Sequence, residues 1–380
     1  MNSNLSIFQT PMDFMQRAFA LAKKGNGHTS PNPSVGAVFV RAGKVIGEGR
    51  TRPVGGPHAE VVAVRDAKKY GFSLRGSTLY VTMEPCSHVG RTPPCSDLLI
   101  QEGVKKVVVA VEDSFEKVRR GGIKEMKKHG IDVQMVSKKS DLYKEIRAFY
   151  QSFIKWAEVG LPYVVMKVAT SLDGKIATRT GESQWITSEL ARKDARIERS
   201  LCDAVLVGAG TVRADNPELA SHGKFAKKHL LRVIIDPDLS LDPKKFQVFR
   251  DEHVFVATTN RASEDRQKVF RDAHIAFECF GVDAVSVKKF LQHLGQQFVT
   301  KLFVEGGAGI HGMFYDESLS DPLVLDEVLW YIAPMIIGGK ESLSAVGGEG
   351  SKSLKVRKLE SLKVESVGED LKIKGSLNFY

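Results

Sequence analysis

His58, Glu60, Cys86 and Cys95 crowd into a short run of this chain: His58-Ala59-Glu60, then Glu84-Pro85-Cys86, then Pro93-Pro94-Cys95. Zn²⁺ takes nitrogen and sulfur donors, and a catalytic zinc keeps one of its four positions for water. Three ligands, His58, Cys86 and Cys95, leave that position open, and a water held there loses its proton near neutral pH. Glu60 sits two residues past the histidine. From there a carboxylate can reach the water without ligating and carry its proton to a departing amine. A structural zinc would need a fourth protein ligand, for which His88 is the nearby candidate. The bland alternative makes both cysteines buried small hydrophobes and the histidine a surface residue.

The order of the groups narrows the chemistry. A His-x-Glu followed by Pro-Cys is the pattern of zinc-dependent nucleobase deaminases. Here eight residues separate the cysteines, where the short form has two. The elements around the donors fit. A helical pattern from Ala59 to Tyr70 follows the histidine and stops at Gly71, and an apolar strand, Thr78–Thr82, leads into Cys86. Cys95 follows two prolines and opens a helical pattern. A thiol at a helix N-terminus is stabilised as thiolate and binds metal readily.

Around this run the first half alternates. Thr10-Pro11 opens a helix through Lys24, the turn-rich Ser30-Pro31-Asn32-Pro33 follows, and Val35–Val40 and Lys44–Gly49 read as a hairpin. Strands at Lys105–Val111 and Ile131–Val136 complete an expected α/β/α layer domain. Ser140–Val159 reads as one helix, either the connector or the last helix of the domain. The boundary is expected near 150, giving domains 1–150 and 151–380.

The second half begins a new strand–helix alternation and ends in two strands, Leu359–Val367 and Leu371–Leu377, which implies a second α/β sheet with an antiparallel tail. Two glycine-rich turns follow apolar strands, Gly208–Gly210 and Gly306–Gly312. Glycine lets backbone N–H groups approach a phosphate, and a following helix N-terminus adds positive potential. Gly307-Ala308-Gly309-Ile310-His311-Gly312 spells the dinucleotide fingerprint. It lies late in the chain and lacks the acidic partner at the usual distance, so phosphate or dinucleotide cradling by another α/β fold is the better reading. Tight strand–helix turns alone would also explain these glycines. Glu305, Thr211 and Asp215 sit where ligands bind in open α/β sheets, and Trp185 can stack on a flat ring.

Composition sets limits. The formal charge is +10, with lysines and arginines scattered and no dense tract interleaved with aromatics. That favours phosphorylated small molecules over nucleic acid. No apolar run approaches a membrane span. The N-terminus is polar, and four unevenly spaced cysteines suit a reducing cytoplasm. Cys202 and Cys279 read as core residues.

The whole chain resembles the RibD family of bifunctional riboflavin-biosynthesis proteins. These are diaminohydroxyphosphoribosylaminopyrimidine deaminases joined to 5-amino-6-(5-phosphoribosylamino)uracil reductases. The likeness rests on Pro31–Gly36, His58-Ala59-Glu60, Glu84–Cys95, Ala169–Gly174, Gly181–Thr187, Asp215-Asn216-Pro217 and Val304–Gly307. It implies a cytidine-deaminase-like α/β/α domain followed by a dihydrofolate-reductase-like α/β domain. The first would replace a pyrimidine amino group by oxygen, and the second would reduce the ribosyl group to ribityl with NADPH. By resemblance His58, Cys86 and Cys95 hold Zn²⁺, Glu60 moves protons, and Asn32 and Arg91 meet the deaminase substrate. Ala169, Trp185, Thr211, Asp215 and the turn Gly307, Ala308, Gly309, Ile310, His311, Gly312 and Met313 would line NADPH. Ser183, Arg199, Leu219 and Glu305 would meet the reductase substrate, with Lys167 assisting ribose opening. A homo-oligomer, dimeric through the reductase domain, is also implied.

Four positions depart from the family pattern. Thr51 stands seven residues before His58, where a histidine is usual, and His222 stands where an arginine is usual. Asp113-Ser114-Phe115-Glu116 replaces Asp-Pro-Asn-Pro, and Pro237 follows Ile235-Asp236 in place of a serine. Two other readings remain: a zinc deaminase of free or nucleic-acid bases with an unrelated second half, and a ligand-binding protein that has lost turnover.

Overall fold

The protein is described here by a computed structural model covering residues 10–87, 93–115, 120–354 and 356–377. It folds as two units, Met1–Val159 and Gly160–Tyr380.

The first unit runs α1 (Pro11–Gly25), β1 (Gly36–Arg41), β2 (Lys44–Arg50), α2 (Ala59–Lys69), β3 (Thr78–Met83), α3 (Cys95–Gln101), β4 (Lys106–Val111), α4 (Gly121–Lys128), β5 (Asp132–Met135), α5 (Asp141–Phe149) and α6 (Gln151–Val159). Thr10 and Asp13 close a capping box at the start of α1, with proline in the first turn. The sheet order is β2-β1-β3-β4-β5. Strand alternation divides its side chains between two layers. Phe39, Leu79, Val81, Val107 and Val109 pack with α2, α3 and α4, while Val38, Val40 and Tyr80 pack with α1, α5 and α6. The three-layer domain read from the sequence is therefore what forms.

Ser140–Val159 is two helices, not one. The break falls at Tyr150, whose side chain turns into the interior. Ile146, Phe153 and Ile154 share a core with Phe14, Met15 and Phe19, so the first unit keeps α6 and extends past 150 to Val159.

The second unit runs β6 (Tyr163–Ser171), α7 (Glu189–Ser200), β7 (Ala204–Gly208), α8 (Ala209–Asp215), β8 (Leu231–Ile235), β9 (Val254–Thr258), α9 (Glu264–Asp272), β10 (Ala276–Cys279), α10 (Val287–Gln296), β11 (Lys301–Val304), α11 (Ala308–Ser320), β12 (Glu327–Ala333), β13 (Glu360–Val367) and β14 (Asp370–Ser376). The sheet order is β10-β9-β8-β7-β11-β6-β12-β14-β13. It is parallel from β10 to β12, and β14 and β13 close it antiparallel. One face packs on α7, α8 and α9 and the other on α10 and α11. Cys202 is buried, but Cys279 is exposed. It ends the edge strand β10, where its thiol meets Asn260 Oδ1 and the Gly281 carbonyl instead of a core.

Candidate functional site

Helix α2 carries the first donors, and its seat is made of small residues. Ala59, Ala63 and Ala67 face Gly47 and Gly49 of β2. A Cβ on Gly49 would lie 2.5 Å from the Ala59 carbonyl oxygen and one on Gly47 2.6 Å from that of Ala63, so only glycine lets the helix sit this low on the strand. His58 is the N-cap of α2 and Glu60 lies in its first turn. Cys86 follows the end of β3, and Cys95 is the first residue of α3. The Ser96 N–H donates to the Cys86 carbonyl and the Cys95 N–H to the Cys86 sulfur, which folds the two cysteines together.

The ligand atoms of His58, Cys86 and Cys95 all lie within 4.8 Å of one another, the one such cluster among the described residues. His58 Nδ1 is 3.6 Å from Cys86 Sγ and 3.5 Å from Cys95 Sγ. A hydrogen bond between the sulfurs lowers the Cys86 thiol and pushes Cys95, its donor, up. The bond to Cys86 raises His58. A thiolate beside an imidazole drawn toward its cation is the charge pattern that a divalent metal replaces. Glu60 is 4% exposed, and burial, then the negative charge of Cys86, raises its carboxyl to about 7.

Asn32 stands exposed in the turn before β1. Arg91 and His88 lie outside the described residues. Thr51, one of the departures noted in the sequence, is buried and its hydroxyl accepts the Val35 N–H at 3.0 Å. It serves the backbone of the loop into β1. Sequence reasoning missed Glu84. Its buried carboxylate accepts the N–H groups of Asp113, Arg120 and Ile123, tying the start of α4 to the strand end that carries Cys86. An acidic residue closing an otherwise apolar strand was the available signal.

In the second unit the carboxyl ends of β6, β7 and β11 lie side by side. Glu305, just past β11, holds two cations: Lys167 of β6 at 3.6 Å and Arg199 of α7 at 3.2 Å. Arg199 is 7% exposed and its Nε is a buried donor without a partner, as is the hydroxyl of Ser221. Burial, then the positive charges of Arg199 and Arg196, lowers His222.

The two glycine turns come together. A Cβ on Gly208 would meet Ile310 at 2.8 Å, and one on Gly307 would come within 3.9 Å of Thr211 Oγ1. Gly307 caps α11 without a side-chain bond, so the cap residue leaves the first-turn N–H groups of this helix unbonded, and a Cβ on Gly309 would meet nothing within 4 Å. Further along, Gly312 is pressed on Gly347, Met313 packs on the core, and His311 is buried with Nδ1 on the Ala345 carbonyl at 2.9 Å. Gln184 reaches Asp215 at 3.0 Å, and the Arg192 guanidinium lies 4.3 Å over exposed Trp185. Ala169 lies on the Lys167 face of β6, Ser183 is half-buried, and Leu219 is buried in the core with φ 56°.

Known proteins match both units. The family described as "RibD C-terminal domain" matches residues 162–373, and "Cytidine and deoxycytidylate deaminase zinc-binding region" matches residues 9–111. The riboflavin biosynthesis protein RibD of Bacillus amyloliquefaciens is 39% identical, with 95% of this chain and 94% of that protein covered. That of Aquifex aeolicus is 38% identical over 95% of this chain and 97% of its own. A solved diaminohydroxyphosphoribosylaminopyrimidine deaminase/5-amino-6-(5-phosphoribosylamino)uracil reductase from Thermotoga maritima superposes with a TM-score of 0.83 at 36% identity, covering 96% of this chain and 98% of its own.

Proposed function

This chain belongs to the RibD family, the bifunctional deaminase–reductases of riboflavin biosynthesis, and on that premise we propose which of its residues perform each step. The observation that carries the reading is the convergence of His58 Nδ1, Cys86 and Cys95 beside a buried Glu60.

These three donors hold zinc in the deaminase domain, and they fit it: two sulfurs and one nitrogen, with no fourth His, Cys or carboxylate in the cluster among the described residues. Zinc bound there acidifies water at its open position. Glu60 takes a proton from the attacking water and hands it to the departing amino nitrogen. Burial raises the proton affinity of this carboxyl, which suits it to both roles. Asn32 and Arg91 bind the substrate, a phosphoribosylaminopyrimidine of the kind named for the Thermotoga enzyme.

In the reductase domain we assign the cofactor NADPH to the paired glycine turns, with its phosphates on the first turn of α11. Ala169, Trp185, Thr211, Asp215 and Gly307 to Met313 line or shape that site. NADPH supplies the hydride. Ser183, Arg199, Leu219 and Glu305 bind the deaminated intermediate, and Lys167, aligned by Glu305, protonates the ribose ring oxygen as the ring opens. We place the enzyme in the cytoplasm, a reading supported by four unpaired thiols. Among the described residues no helix is long and apolar enough to cross a membrane. We also propose a dimer through the reductase domain, supported by an apolar sheet face on which Leu362, Val364 and Leu371 are 56%, 57% and 42% exposed.

Zinc-loaded protein given the diamino substrate and NADPH should release ammonia first and oxidise NADPH second. Glu60→Gln should keep its zinc, lose ammonia release by about 10²–10⁴-fold, and still oxidise NADPH with the deaminated intermediate. NADPH oxidation on the diamino substrate without ammonia release would contradict this assignment.

A further inference from the structure

Tyr150, at the break between α5 and α6, is 2% exposed and lies among apolar side chains. Its hydroxyl donates to the Ser34 carbonyl at 2.9 Å and lies 2.6 Å from Thr82 Oγ1. The Gly36 N–H donates to the same Thr82 oxygen at 3.0 Å. These partners fix every proton. A carbonyl only accepts, so the single tyrosine proton goes to Ser34. Thr82 must then donate to the Tyr150 oxygen, which leaves its own oxygen to accept from Gly36. The relay runs from the Gly36 N–H through Thr82 and Tyr150 to the Ser34 carbonyl, so it starts at the first residue of β1 and ends on the loop two residues before it.

The residue between is held from the other side. Thr51 Oγ1 accepts the Val35 N–H, and the Thr51 N–H donates to the Val35 carbonyl, both at 3.0 Å. Ser34 Oγ donates to the Ala22 carbonyl at 2.7 Å. Every main-chain polar group from the Ser34 carbonyl to the Gly36 N–H is thereby bonded. Fully satisfied polar networks in an apolar layer are rigid, and costly when one member is removed. The anchored segment leads directly back into the turn Pro31-Asn32-Pro33, where Asn32 is exposed, and Thr82 lies on β3, four residues before Cys86.

We propose that Tyr150 is a positioning residue for deamination, fixing the Pro31-Asn32-Pro33 turn, through Thr82 and the Ser34 carbonyl, relative to the end of β3 that leads to Cys86. The proposal rests on the reading that Asn32 binds the deaminase substrate. It acts on affinity for the pyrimidine, since neither Tyr150 nor Thr82 touches the reacting atoms.

The test is steady-state deamination by zinc-loaded full-length Tyr150→Phe, Thr82→Val, Thr82→Ser, the Tyr150→Phe/Thr82→Val double variant and Asn32→Ala. Tyr150→Phe and Thr82→Val should each raise KM about 5- to 20-fold with kcat within about 2-fold, as for lost binding alone. Their zinc content and their NADPH oxidation on the deaminated intermediate should be unchanged. The double variant should be no worse than the worse single one, as for members of one network. Thr82→Ser keeps the hydroxyl and should keep the KM, which tests the relay even if Tyr150→Phe does not fold. An unchanged KM in Thr82→Val, or in folded, zinc-loaded Tyr150→Phe, overturns the proposal while Asn32→Ala still raises KM. An unchanged KM in Asn32→Ala overturns the substrate reading beneath it.

Discussion

The two sites balance charge in opposite ways. In the first unit the donors come from residues 58 to 95, and three ligand atoms crowd within 4.8 Å around a place for a cation. In the second the groups come from residues 167 to 305, and a protein carboxylate, Glu305, already holds the two cations Lys167 and Arg199. One site is completed by what it binds and the other is closed on itself. Buried charge is tolerated only when paired, and here the pairing partner is either a metal or another side chain. The difference predicts how each site fails. The first should lose its chemistry with its metal, and the second should lose geometry and stability when one side chain is changed.

The sharpest way to break the contrast is at Glu305. Glu305→Gln leaves Arg199 and Lys167 facing each other without their anion. The reductase unit should lose about 3 kcal/mol in chemical denaturation, and kcat/KM for NADPH oxidation should fall about 10²-fold. Ammonia release should not change. Equal damage to both activities would mean that the sites are not separable.

A second effect, on stability alone, should come from His311. Burial holds its imidazole down at about 4, and its Nε2 is a buried atom without a partner. The folded state therefore stays neutral where the unfolded chain, with a histidine of ordinary pKa near 6.5, takes up a proton. The unfolded state binds more protons between those values, so stability is intact above pH 6.5 and falls as pH drops toward 4, by about 3 kcal/mol at most. In His311→Leu this pH slope should flatten, measured as denaturation midpoints of the second unit from pH 7 to pH 4.5. An unchanged slope would show that His311 is not the group that titrates.

The contrast also explains what could be read in advance. His58, Cys86, Cys95 and Glu60 were legible because residue type and short spacing carry metal chemistry without any knowledge of the fold. Glu305 and Thr211 could be placed at strand ends by pattern, but nothing local joins Glu305 to Lys167 or Arg199. Those pairings arise from the sheet order, in which β11 lies between β6 and β7. Only the family resemblance suggested them. The interrupted helix at Tyr150 was illegible because its apolar pattern continues across the break, while the hydroxyl that turns the residue inward answers to Ser34 and Thr82, far away in sequence. Strand β10 and helices α9 and α10 drew no expectation, since their faces follow from packing on a sheet whose edge the sequence does not mark. Cys279 read as core because its neighbours are apolar, yet an edge strand exposes one side.

Zinc-edge X-ray absorption on the purified full-length protein reads the metal centre itself. The spectrum should show one zinc per chain, with two sulfurs at about 2.3 Å and two lighter donors, one imidazole nitrogen and one exchangeable oxygen, at about 2.0 Å. Protein that binds no zinc after metal loading, or a zinc enclosed by four protein ligands, would contradict this assignment.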